Sequence, residues 1–195
     1  MYIVHEYQQE GYTSYNNGVG TPTALDHWRG NGAWDPEASA GGGQPNRFDQ
    51  AANMYNKNQV MWSSIRVKFY TPESASVFRI SVFPARTGLS VTSFQATSEQ
   101  PYSRHRNVFG TAYGNEKSTG MIKHFMTTRK VLGLTHGQMG MQDLQGGPTS
   151  NPTYMWEWYV VGQALDLTTS TTVRLTVNIS YGTVWYDRKI ATIST

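Results

Sequence analysis

Several stretches of the chain alternate apolar and polar residues with the period of two that marks a half-buried strand. In SIRVKFY, Ile65, Val67 and Phe69 alternate with Ser64, Arg66 and Lys68, giving one apolar and one basic face. In VFRISVF, Phe78, Ile80 and Val82 share a face, and Arg79 and Ser81 fall near the other. The turn chemistry of TPES between them predicts a hairpin over residues 65 to 83, with Arg66, Lys68 and Arg79 together on its polar side. VRLTVNISY is the cleanest run, setting Val173, Leu175, Val177, Ile179 and Tyr181 against Arg174, Thr176, Asn178 and Ser180. A further strand, TVWYDRK, follows Gly182. YMWEWYVV is apolar on both faces, as a central strand covered on both sides would be. Weaker strands fall at LSVTSF and around IKHFMTTRKVLGL.

Helical spacing occurs only in FDQAANMY, where Phe48, Ala51, Ala52 and Tyr55 align for a turn or two. Polar connections rich in Gly, Pro, Asn and Ser fill 11 to 47, 97 to 120 and 136 to 153. There is no internal repeat and no linker separating two cores. The pattern predicts one domain over residues 1 to 195: an all-β, antiparallel β-sandwich of jelly-roll type with long loops. That fold serves lectins, cupins, hydrolases and viral shells alike, so it does not name a function.

Composition changes the picture in one respect. Charged residues are 15% of the chain, against roughly 25% in an average soluble domain, while aromatics reach 13%. Scarce charge beside abundant aromatics is the signature of surface buried between molecules; a secreted, polar all-β domain is the alternative. The absence of cysteine removes disulfides, thiol catalysis and Cys-type zinc sites. No stretch approaches the ~18 to 20 apolar residues of a membrane span, so membrane insertion is not expected. The N-terminus has no basic region leading into an apolar run, so no signal peptide is expected. Net charge is +3, but residues 1 to 28 hold Glu6, Glu10 and Asp26 with no Lys or Arg. The remainder therefore sets all 16 basic residues against ten carboxylates, a balance of +6 able to attract a polyanion.

Candidate chemistry is sparse. His5, His27, His105, His124 and His136 have no ligand spacing, and no metal or other cofactor is expected. No Gly-x-Ser-x-Gly elbow exists. The glycines 41 to 43 precede no Gly-Lys-Ser/Thr and no helix pattern, so they form a loop and not a phosphate cradle. Glu157 between Trp156 and Trp158, with Glu116 as a distant second carboxylate, is the one enzymatic or sugar-binding constellation. Asn178-Ile-Ser180 matches a glycosylation sequon but lies mid-strand. The basic residues remain: Arg66, Lys68 and Arg79 on the expected hairpin, and a second cluster of Lys123, His124, Arg129 and Lys130. They suit phosphate, or else form the solvated face of a half-buried sheet.

Taken in order, GAWDPEASAGGGQPNRFDQAANMYNKNQVMWSSIRVKF, TTRKVLGL, GGPTSNPTYMWEWYVV and VRLTVNISYGTVWYDRK resemble the capsid proteins of circovirus-like, Rep-encoding circular single-stranded DNA viruses, over residues 20 to 195. The resemblance implies a non-enzymatic, viral-capsid-type jelly roll. About sixty copies would close a small T=1 icosahedral shell around a circular single-stranded DNA genome. It implies a virion protein assembled inside the host cell, with the nucleus as one compartment, and a host-cell surface receptor of unknown identity. Residues 1 to 28 would be an extended or interface segment, and Arg66, Lys68 and Arg79 would line the interior against DNA. The family's Arg/Lys-rich N-terminal arm has no counterpart in these acidic first 28 residues. Sixty copies carry only about +180 against a genome of at least about 585 nucleotides, each with roughly one negative charge. The alternatives are a carbohydrate-active sandwich using Trp156, Glu157 and Trp158, and a free single-stranded nucleic-acid-binding module.

Overall fold

A computed structural model of the chain describes residues 1–15, 23–38, 43–70, 77–89, 94–109, 119–164 and 171–190. Eight strands form two four-stranded antiparallel sheets. They are β1 (Tyr2–Tyr15), β2 (Thr23–Arg29), β3 (Tyr55–Tyr70), β4 (Val77–Arg86), β5 (Arg104–Phe109), β6 (Thr119–Thr127), β7 (Trp156–Ala164) and β8 (Thr171–Arg188). One sheet has the order β1-β8-β3-β6 and the other β2-β7-β4-β5, which is the double-sheet jelly roll.

The core follows the alternation of the sequence. Ile65, Val67 and Phe69 from β3 and Val173, Leu175, Val177 and Ile179 from β8 face Phe78, Ile80, Val82, Trp156, Trp158 and Val160 of the other sheet, all buried. Each such side chain contributes about 1.5–3 kcal/mol on burial. The indoles within this layer keep their N–H groups satisfied, as buried aromatics with polar handles must. Trp158 Nε1 donates to Ser63 Oγ at 2.8 Å, linking the two sheets, and Trp156 Nε1 donates to Thr128 Oγ1 at 3.3 Å. At one end Trp185 Nε1 donates to His5 Nε2 at 3.1 Å while His5 Nδ1 lies 3.1 Å from the Asn46 carbonyl. That pairing requires neutral His5 with its proton on Nδ1.

Among the described residues three short α-helices sit in the connections, α1 (Phe48–Met54), α2 (Phe94–Ser98) and α3 (Thr128–Leu132), besides two 3-10 turns at Gly137–Gly140 and Gln142–Leu144. α3 begins where Thr127 accepts from the Lys130 amide and stops at Gly133, whose φ of 68° is the left-handed cap. α1 is the helix read from FDQAANMY, and it packs Phe48, Ala51 and Ala52 into the core.

Several expectations are corrected. The hairpin over 65 to 83 does not exist: β3 pairs with β8 and β6, and β4 pairs with β7 and β5 in the opposite sheet. The chain crosses between sheets after Tyr70, through residues outside the described set. VRLTVNISY and TVWYDRK are one strand, β8, continuous through Gly182. The expected connection 11 to 47 contains the end of β1 and all of β2, and 97 to 120 contains β5. Residues 2–15 form an extended edge strand paired along its length with β8. Of LSVTSF, Phe94 opens α2, and Ser90 to Ser93 lie outside the described residues. IKHFMTTRKVLGL divides into the end of β6 and α3.

Candidate nucleic-acid interface

The two sheets have very different outer faces. On the β4–β7 side, Phe83, Tyr159 and Val161 form a second buried apolar cluster with Ala85 and Leu89 packed on it. Buried Glu157 joins it by accepting from Tyr159 Oη at 2.8 Å. The phenol takes the Leu89 amide at 3.1 Å and is pushed up to about 12, by burial first and then by Glu157. Trp156 and Trp158, both 0% exposed, point the opposite way into the core. The Trp156–Glu157–Trp158 constellation therefore presents no aromatic platform and no carboxylate to a sugar. Glu116 lies outside the described residues.

The outer face of the β1-β8-β3-β6 sheet is open. Pairing register sets its outward side chains in four rows across the strands. They read Val4, Gly182, Trp62, Thr127; then Glu6, Ser180, Ser64, Phe125; then Gln8, Asn178, Arg66, Lys123; then Glu10, Thr176, Lys68, Met121. Acidic residues keep to the β1 side. Arg66, Lys68 and Lys123 are exposed on the β3–β6 side, with Arg66 directly opposite Lys123. Glu6, Gln8, Asn46, Ser64, Arg66, Asn178 and Ser180 line a polar cleft of about 220 Å³ on this face.

Arg79 is not among them. It lies on β4 in the other sheet, where its Nε donates to Asn107 Oδ1 of β5 at 2.6 Å. The basic triad of the sequence is thus divided between opposite faces of the sandwich. His124 also leaves its cluster. It is buried against Trp158, with Nε2 on the Tyr102 carbonyl. Burial lowers its pKa, opposed by that carbonyl and reinforced by Arg104 and Lys130. Lys130 lies over the Tyr102 ring at 4.5 Å.

Two groups went unread in the sequence. Arg104 and Arg106 sit on the core-facing side of β5, opposite Val82 and Ile80, at the side opening of the sandwich. Their guanidinium groups donate to the Lys123 and Met121 carbonyls on the unpaired edge of β6, at 2.7 and 3.4 Å. They close that opening and, with His105 and Lys123, border a second shallow cleft of about 400 Å³. The other group is aromatic. Trp62 lies between Tyr2, whose hydroxyl accepts from its Nε1 at 2.6 Å, and Phe125, whose ring centroid is 5.4 Å away. Parity was the available signal: Trp62 precedes Arg66 by four residues, and Phe125 follows Lys123 by two.

Among the described residues no group of three His, Asp or Glu side chains is placed to hold a metal, and no helix is long and apolar enough to cross a membrane. No protein-family signature matches the chain, and no curated protein sequence does. Solved viral capsid proteins share its fold. The Triatoma virus empty capsid aligns with a TM-score of 0.55 and 6% identity, over 97% of this chain and 95% of that one. A T=1 subviral particle of a Penaeus vannamei nodavirus capsid protein deletion mutant gives 0.50 and 8%, over 97% and 99%. The decameric BFDV capsid protein gives 0.50 and 9%, over 96% and 99%. At these identities the likeness is one of fold: this chain is an antiparallel jelly roll of the viral-capsid type.

Proposed function

We propose that this chain is the coat subunit of a small virus, a structural protein that assembles with copies of itself into a closed shell. The observation that carries the reading is that the whole sandwich, loops included, aligns with nearly the full length of capsid chains. The low charge and the exposed aromatics fit a surface that meets other subunits. The ordered motifs from GAWDPEASAGGGQPNRF to VRLTVNISYGTVWYDRK support the finer form: about sixty copies, T=1 symmetry and a circular single-stranded DNA cargo in the virion.

In this proposal Arg66 and Lys68 face the genome, now with Lys123 beside them, and Arg79 belongs to a different surface. Trp156, Glu157 and Trp158 are buried and offer a sugar no platform. The test is assembly of the purified protein, followed by sedimentation and negative-stain microscopy. Closed particles of uniform size are expected. A protein that stays monomeric across pH, salt and added oligonucleotide refutes the reading.

A further inference from the structure

The aromatic group on the open face has the geometry of a platform. A Cβ placed on Gly182 would fall 2.1 Å from Trp62 Nε1 and 2.2 Å from its Cε2, so the indole lies directly against the β8 backbone. Tyr2 of β1 holds its N–H, and Phe125 of β6 flanks it at an interplanar angle of 38°. The shelf therefore spans all four strands. Phe125 is 53% exposed and Tyr2 55% exposed, an unusual outlay of aromatic surface to water.

Next to the shelf, the cross-strand pair Arg66 and Lys123 places two exposed cations face to face. Like charges directly opposite on a sheet are unfavourable, and an anion between them removes the penalty. Outward side chains on one strand recur about every 7 Å, so Lys123 is one step from Phe125 and Arg66 two from Trp62. Aromatic rings beside exposed cations are the combination that holds single-stranded nucleic acid, the rings taking bases and the cations taking phosphates.

We infer that Tyr2, Trp62 and Phe125 form a stacking shelf and that Arg66, Lys68 and Lys123 form the adjoining phosphate contacts of one binding site for a single-stranded polynucleotide. The site rests on the coat-subunit reading for its role, as the place where each copy grips the packaged strand. Its binding chemistry is nevertheless measurable on the subunit.

The test is fluorescence anisotropy with labelled twenty-nucleotide oligo-dT, oligo-U and a duplex of equal length. Both single strands bind, and the duplex binds more weakly. A duplex bound as tightly as the single strands overturns the site. Trp62→Ala weakens single-strand binding about tenfold or more, the loss expected for one stacked base, and Trp62→Phe restores most of it. Arg66→Gln with Lys123→Gln lowers the slope of log affinity against log salt by about 1.4. Thermal melts confirm folding of each variant. Unchanged affinity in folded Trp62→Ala overturns the inference. Lost particles with unchanged affinity do the same, by making the shelf a subunit contact while the shell reading stands. A wild-type protein that binds oligonucleotide through Trp62 but never forms particles sinks the shell reading and leaves the site.

Discussion

Two glycines of the same sheet, Gly120 on its core side and Gly182 on its open face, give opposite expectations, and the difference is whether their neighbour can move. At Gly120 on β6, an added Cβ would sit 2.4 Å from the Phe69 ring and 2.8 Å from Val108 Cγ2. Both side chains are buried in the core, at 1% and 2% exposure, and have nowhere to go. Overpacking of this kind costs about 1–3 kcal/mol or more, against which alanine recovers about 0.5–1 kcal/mol of strand propensity. At Gly182 the clash is closer, 2.1 Å, but with a surface indole that can swing into water. The loss there is the Tyr2–Trp62 hydrogen bond, about 1 kcal/mol, offset by the same propensity gain. With about 2–4 °C per kcal/mol for a chain of this size, Gly120→Ala lowers Tm by up to about 10 °C and Gly182→Ala by no more than about 2 °C. Differential scanning fluorimetry compares them directly. A Gly182→Ala loss equal to or larger than that of Gly120→Ala would refute the reasoning. The nucleic-acid titration should reverse the ranking, because only Gly182→Ala dislodges the shelf.

Other consequences are as direct. Ser63→Ala leaves the Trp158 N–H buried without its acceptor and destabilises the fold by about 1–3 kcal/mol, measured by urea unfolding. His5 and His124 both have pKa values lowered by burial below the ordinary 6.5, so near that pH the unfolded chain takes up protons that the native state does not. Their stabilisation is complete above about pH 6.5 and is lost as pH falls below it, by up to about 1.4 kcal/mol per unit for each histidine. A urea midpoint that fails to drop between pH 7.5 and 5.5 contradicts this. Arg104→Ala with Arg106→Ala strips the side-chain donors from the β6 edge, and light scattering should show faster aggregation than for the parent.

The strands that could be read from the sequence are those with at least three successive apolar inward positions. β3, β4, β7 and β8 have such runs, and their cores lie where the alternation put them. β1 was hidden because an inward position carries His5, a polar residue that is tolerable only because Asn46 and Trp185, distant in sequence, satisfy it. β2 contains a register shift between Ala24 and Asp26, which breaks the period. β5 carries Arg104 and Arg106 on its core side, a pattern that looks like solvent exposure until the open flank of the sandwich is seen. The hairpin failed for a different reason. Turn residues after Tyr70 signal a reversal of the chain, but not which sheet receives the next strand. That choice depends on pairing with β7, some eighty residues on. The same gap divided the candidate site: Arg66 and Lys68 share a strand and were placed together correctly, whereas Arg79 was joined to them only through the hairpin.

The segregation of charge on the open face raises the question of what directs a bound strand. Glu10 is separated from Lys68 by two strand spacings, about 10 Å, and Glu6 from Ser64 by the same distance. In water, two unit charges at that distance interact by about 0.4 kcal/mol, and the Debye length of about 8 Å at physiological salt reduces this to about 0.1 kcal/mol. Repulsion from both carboxylates therefore shifts affinity less than twofold. One stacked base contributes about 1–3 kcal/mol, several times more. At the proposed site the acidic β1 flank is too weakly felt to steer a bound strand, and the Trp62 shelf and the phosphate contacts beside it would set its path. A strand held at Arg66 and Lys123 would then run along β3 and β6 to the shelf that Tyr2, Trp62 and Phe125 form.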